Sequence, residues 1–228
     1  MTVDLTSLHF QWFAFPESTA FGKVLPKSKI YEYANPSAKV KELFVKQVEQ
    51  IIWQNKLAPE TLNIAATAQV PEIQIFRLVL KTQEISDDVL SCIDKAIPFP
   101  VLYEICFEKR FQVIAAYKRP NTTDNSKWLI SRYFASNWQP ADQQRLSLPV
   151  ALDLAALYKR LLGVLVNLPP SPNESTDDWI KRNEQLTKLN RDISRLQSKL
   201  HNEKQFNRKV ALHAELKQLQ TQQTLLQQ

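Results

Sequence analysis

Binding to phosphate requires Lys and Arg on a surface that can follow a nucleic-acid backbone. Lys188, Arg191, Arg195 and Lys199 recur at steps of three and four. On a helix this spacing gives one cationic outer face about 16 Å long at 1.5 Å rise per residue. Lys204, Arg208 and Lys209 concentrate further charge just beyond it. Trp179 and Phe206 are the only large aromatics nearby, so base stacking is not expected. Binding through this set would be backbone-directed, weakly selective for sequence and strongly dependent on salt. A solvated coil face that keeps the segment soluble has the same composition, and both readings stand at this level. A second basic cluster, Lys23, Lys27, Lys29 and Tyr31, with Trp53 and Lys56 further on, interleaves aromatics with cations. It could form a phosphate-and-stacking surface or a structural N-terminal arm.

Other chemistries lack their residues. The chain has two glycines, Gly22 and Gly163, so no Gly-rich phosphate loop or dinucleotide fingerprint can form. No Gly-x-Ser-x-Gly elbow exists. A metal-dependent nuclease core needs an acid and then an acid-x-Lys on the next strand. The only such triplet, Glu215-Leu-Lys217, falls in the C-terminal coil. A degenerate set from Glu104, Gln112 and Lys118 is the remaining catalytic alternative. His9, His201 and His213 lie away from the strands of the body, and Cys92 and Cys106 lack metal-ligand spacing. No cofactor, metal or catalytic residue is therefore expected.

The charge places the elements. Acids and bases balance from Met1 to Ile180, and Lys181–Gln228 carries 10 Lys+Arg against 4 Asp+Glu, the whole net charge of +6. A localised basic helix seeks a partner, most often a polyanion. No run of 18 apolar residues is present, and the N-terminus lacks the pattern of a signal peptide. A cytoplasmic protein with reduced thiols and no membrane contact is expected.

The pattern predicts an α+β domain over 1–167, with a mainly antiparallel sheet covered by helices. Residues 1–35, with Pro16 and Pro26, read as an irregular arm. Val40, Leu43, Phe44, Val48, Ile51 and Ile52 predict a helix over 38–56. Strands follow at 72–80, 101–107, 111–117 and 128–135, with a helix over 86–96 capped by Ser86 and a tight turn at Glu108–Arg110. Consecutive strands are expected to be antiparallel neighbours. Asn121–Ser126 reads as a polar loop, and 148–167 as an apolar helix over one sheet face. Residues 168–175 read as a Pro-rich linker. Residues 176–228 read as a basic coiled-coil arm with Trp179, Leu186, Leu189, Ile193, Leu196 and Leu200 on the seam. The seam breaks at His201–Asn207 and restarts with Leu212, Leu216, Leu219 and Leu226. That favours an antiparallel helical hairpin, with one long stuttered helix as the alternative.

Two resemblances add to this reading. Lys199-Leu200, Asn202, Phe206 and Lys209 resemble the turn of the coiled-coil arm of valyl-tRNA synthetases and ABC-F-type ATPases. Leu25–Tyr31, Leu43–Val48, Ile52–Pro59 and Thr61–Asn63, with the Glu203–Asn207 turn, resemble the bacterial domain of unknown function family 4391. This likeness implies restriction or phage-defence surroundings, with DNA favoured over RNA and a helicase or DNA methyltransferase as partner. The combined expectation is a non-catalytic nucleic-acid-associated accessory protein. The alternatives are a scaffold or homodimer joined through the coil, and the cryptic nuclease above.

Overall fold

The computed structural model describes residues 10–227 apart from 122, 125 and 126. His9, the first nine residues of the expected arm and part of the 121–126 loop lie outside the described residues. The chain divides into two compact units, Met1–Leu165 and Val166–Gln228.

The first unit is built on a seven-stranded sheet. Its strands are β2 (Ala20–Leu25), β3 (Val48–Leu57), β4 (Ile73–Leu80), β5 (Val101–Phe107), β6 (Arg110–Pro120) and β7 (Trp128–Ala135), in that spatial order, with the short β8 (Gln139–Pro140) beside β6. A separate parallel pair joins β1 (Phe13–Ala14) to β9 (Leu146–Ser147). The helices are α1 (Lys27–Ala34), α2 (Ala38–Gln47), α3 (Pro59–Leu62), α4 (Asp87–Ala96) and α5 (Leu154–Gly163).

The sheet is mostly antiparallel, as expected. The exception is β4 with β5, which run parallel. The α4 helix lies between them in sequence, and a strand–helix–strand connection returns the chain in the same direction. Helix α4 starts at Ser86, whose hydroxyl accepts from Asp88 N, with Asp87 and Asp88 in the positive first turn. Its apolar face and those of α1 and α2 cover one side of the sheet, where Phe44, Phe76, Leu78, Ile93, Tyr103 and Ile105 form the main core.

The predicted 38–56 helix is corrected. Ser37 caps α2 at the expected place, but the helix ends at Gln47 and residues 48–57 become a strand paired on both edges. Val48, Ile51, Ile52 and Trp53 are β-branched or aromatic, and a short apolar run fits either period. The expected irregular stretch before it instead forms β2 and α1. Gly22, at φ 62, sits where the register of edge strand β2 slips between Ala20 and Lys23. A side chain there would be strained, so this glycine makes the bulge. Elsewhere the left-handed positions fall to Asn35, Asn63, Asn173 and Glu108, the last in the β5–β6 turn.

The predicted 148–167 helix is shorter than expected. It begins after Asp153, whose carboxylate accepts from Ala156 N. Val150 and Leu152 lie before that cap and are exposed. Tyr158 of α5 anchors to β6, donating to Ala116 O and accepting from Lys118 N.

The second unit is an antiparallel pair, α6 (Thr176–Asn202) and α7 (Phe206–Gln227). Arg182 reaches Leu226 O and Gln223 reaches Asn190, which fixes the antiparallel sense. Leu189, Ile193, Leu196 and Leu216 form the buried seam, flanked by Leu200, Leu212, Leu219 and Leu226. Both apolar stripes are thus buried within one chain. The 168–175 segment is folded onto the hairpin base. Trp179 donates its indole N–H to Leu168 O, and Arg182 bonds Glu174 and Pro169 O. Two carbonyls of this Pro-rich segment, Leu168 O and Pro169 O, are thus held by side chains from the first turns of α6.

Candidate nucleic-acid interface

The arm carries the predicted cations where the heptad places them. The Ser175 hydroxyl caps α6 at Asp178 N, and the seam turns the opposite side of the helix to solvent. Lys188, Arg191, Arg195 and Lys199 are all exposed on that outer side. Arg195 lies 3.9 Å from Asp192, too long and too exposed to hold the charge. Lys188, Arg191, Lys199 and Lys204 make no ion pair among the described residues. Arg191 and Arg195 flank a shallow patch with Thr187, Asn190 and Ser194.

The hairpin tip is a three-residue break, and one acid organises it. The Glu203 carboxylate accepts from Lys204 N and Gln205 N, standing in for the carbonyls a helix would supply. Those hydrogen bonds, led by Gln205 N–H, with the charges of Arg208 and Lys209, hold Glu203 below the usual carboxylate range. Lys199, Arg208 and Asn202 surround a shallow groove there. Lys209 is half-buried, whereas Lys204 and Arg208 are exposed. Phe206, which the arm resemblance singles out, is 77% exposed and takes no part in the seam.

The second basic cluster comes apart into two sets. Lys27 donates its ammonium to Phe44 O at 3.0 Å and also to Val48 O. It binds two carbonyls at the end of α2, a structural role rather than a phosphate contact. Burial, with Lys81 nearby, lowers its pKa. Tyr31 packs edge-on against Phe44, with the Lys41 ammonium 5.6 Å from its ring. Lys23, Lys29, Lys56 and Trp53 instead gather around one cavity of about 450 Å³. Lys56 is bound to Glu60 and Glu72 at 2.8 and 3.0 Å, and Lys29 to Glu32 at 3.1 Å.

The three residues of the nuclease alternative are not brought together. Glu104 and its partner Val113 face one side of the sheet, while Gln112 and Lys118 lie at even positions of β6 and face the other. Glu104, 1% exposed, accepts from Trp12 Nε1 at 2.8 Å, from Arg77 Nη2 at 2.9 Å and from Arg145. Burial pushes its carboxyl up, but the hydrogen bonds and charges of Arg145 and Arg77 outweigh this and hold it below its ordinary range. Lys118, also 1% exposed, donates to Asp94 O and Ile97 O at the end of α4, with the Asp94 carboxylate 3.5 Å away. Burial lowers the Lys118 pKa against the opposing charge of Asp94. Tyr133 donates to the same carboxylate. Gln112 donates to Ser136 O. Sequence reasoning missed Asp94, Tyr133, Arg77 and Arg145 as members of these clusters, because only the strand register brings them together.

Cys92 is buried and Cys106 half-buried, both as free thiols, with burial raising each pKa. Among the described residues no group of three or more His, Cys, Asp or Glu could hold a metal ion, and no helix is long and apolar enough to cross a membrane.

A mixed α+β body followed by a basic helical hairpin defines the class of protein. Over residues 13–222 the chain matches the family described as Domain of unknown function (DUF4391), and it belongs to that family. No curated protein and no solved structure matches it.

Proposed function

We propose that this protein is a non-catalytic, nucleic-acid-associated accessory protein whose arm grips phosphate backbone while its body docks a larger enzyme. The observation that supports this most is the set of exposed arm cations, Lys188, Arg191, Lys199 and Lys204, which lack carboxylate partners among the described residues. Cations held by acids in the fold have little left to offer a phosphate, whereas these keep their charge for a ligand. The spread of Lys188, Arg191 and Lys199 along α6, with Lys204 beyond its end, suits a backbone rather than a single anion. The docked enzyme on this reading is a helicase or DNA methyltransferase of a restriction or phage-defence system, with DNA as the polymer.

Fluorescence anisotropy of labelled duplex DNA, single-stranded DNA and tRNA across a salt series tests it. Changing Lys188, Arg191, Arg195 and Lys199 together to Gln should flatten the slope of log K against log salt by about 3–4, at roughly 0.9 per phosphate contact. Equal affinity and slope for both proteins would end the proposal.

One observation favours a second reading, assembly through the arm. Phe206, Val210 and Leu225 of α7 are 77%, 53% and 65% exposed and lie outside the seam. If they form a homodimer contact, light scattering will give a dimer mass that Phe206→Ser with Val210→Ser reduces to a monomer.

A further inference from the structure

The cavity bounded by Lys23, Lys29 and Lys56 lies on the helix-covered face of the sheet, where β3 ends and β4 and β5 begin. At about 450 Å³ it falls within the size range of small-molecule sites, about 300–1,000 Å³. Trp53, Phe76 and Phe99 give it aromatic walls. Trp53 and Phe76 are cross-strand partners with parallel rings 6.2 Å apart, and Gln74 stands two residues before Phe76 on the same face.

Two polar atoms in this wall are buried without a hydrogen-bond partner among the described residues, Trp53 Nε1 and Gln74 Oε1. Gln74 is 2% exposed and its side chain belongs to the cavity lining. Buried polar groups are nearly always satisfied, and an orphan beside an open cavity marks the place of a missing partner. One orphan is a donor and the other an acceptor. Glu72 Oε2 also lines the cavity, but it is held by Lys56 at 3.0 Å. Lys29 and Lys56 are held by Glu32, Glu60 and Glu72, which leaves Lys23, with no acid partner among the described residues, as the unpaired cation at the rim.

The matching ligand has a flat ring for the aromatic walls, an edge that both accepts and donates, and an anionic group for the rim. We propose that this cavity binds one phosphorylated nucleoside. Its base lies against Trp53 and Phe76 and bonds Trp53 N–H and Gln74 C=O, and its phosphate meets Lys23. A free mononucleotide and the 5′-phosphorylated end of a strand carry the same chemistry. The proposal stands apart from the arm, since every lining residue belongs to the first unit.

Calorimetric titration of the full chain with the four 5′-mononucleotides, their nucleosides, inorganic phosphate and 5′-phosphorylated trinucleotides tests it. At least one mononucleotide should bind, at least tenfold more tightly than its nucleoside. Gln74→Leu and Trp53→Phe should each weaken binding about tenfold, and Lys23→Gln should remove most of the advantage of the phosphate. Because Gln74 Oε1 has no partner to lose, Gln74→Leu should leave the Tm of the ligand-free protein unchanged or higher. A trinucleotide that binds more tightly than any mononucleotide supports a strand end as the source. The reverse order supports a free nucleotide. Absence of binding by both at 1 mM, or binding untouched by Gln74→Leu and Trp53→Phe, would overturn the proposal. So would loss of binding in the four-Gln arm variant, which would place the anion on the arm. Failure of the arm's anisotropy test leaves this result unaffected, so the two readings fail separately.

Discussion

Lys27 and Lys118 in the body donate to the carbonyls that close α2 and α4, whereas Lys188 and Lys199 in the arm meet solvent. Arg77 and Arg145 in the body grip Glu104, while Arg191 in the arm grips nothing among the described residues. The same side chains thus serve as internal fasteners in one unit and as free charge in the other. Net charge alone hides this. Each unit carries a net +3, from 19 Lys+Arg against 16 Asp+Glu over 1–165 and 10 against 7 over 166–228, so they differ not in net charge but in how many of their cations are held within the fold.

The largest test of the contrast is Glu104→Ala. Removing one member of a buried ion cluster leaves the others without a counter-charge, a loss of about 3–5 kcal/mol. Arg77 and Arg145 are partly exposed, so the expected loss is near the lower figure. Chemical denaturation of the body transition measures it, and a loss under about 1 kcal/mol would mean the cluster is dispensable. The acid dependence of the same site follows from its sign. The folded Glu104 carboxyl sits below its unfolded value, about 4.3. Its stabilisation is therefore complete above that value and disappears as pH falls through the folded one. A stability profile from pH 6 to 2.5 should fall less steeply in Glu104→Gln than in the wild type.

A middle-sized effect tests the arm as a folded object. Leu216→Ala removes a buried seam residue of α7 and should cost about 2 kcal/mol or more locally. Hydrogen exchange should then speed up across α7 while the sheet of the body stays protected. The fastener role of Lys27 is smaller. Lys27→Met should cost about 1 kcal/mol, the value of an ordinary net hydrogen bond, and leave polyanion affinity unchanged. A loss of affinity would show that Lys27 is misassigned. The smallest stability effect belongs to the four-Gln arm variant, within about 0.5 kcal/mol in thermal unfolding. A larger loss would mean that these cations are fasteners too.

Legibility in the sequence followed how local each signal is. The 128–135 strand and the 86–96 helix were readable because alternation in the first, and Ser86 with two aspartates in the second, are local. The hairpin was readable because its two leucine stripes change phase at a polar break. Residues 48–57 were not, since Val48, Ile51 and Ile52 satisfy a helical period and become a strand only when β2 and β4 pair with them. Trp179 and Arg182 reach back to 168–174, which no composition reveals. For the site, the arm cations were legible as a stripe, but a lysine bound for a helix end looks like any other. That Lys27 and Lys118 face carbonyls, and that Trp53 and Gln74 share a cavity wall, depends on strand register.

Arg182 ties the base of the arm, bonding Glu174, Pro169 O and Leu226 O at once. The final turn of α7 is therefore fastened to the first turns of α6, and the seam joins them along the way. Continuity of the chain at Glu203–Gln205 is then not what keeps the two helices together. A protease nick at that exposed tip should yield two fragments that travel as one particle. The same place could accept an inserted tag, or new chain ends, while the arm keeps its shape.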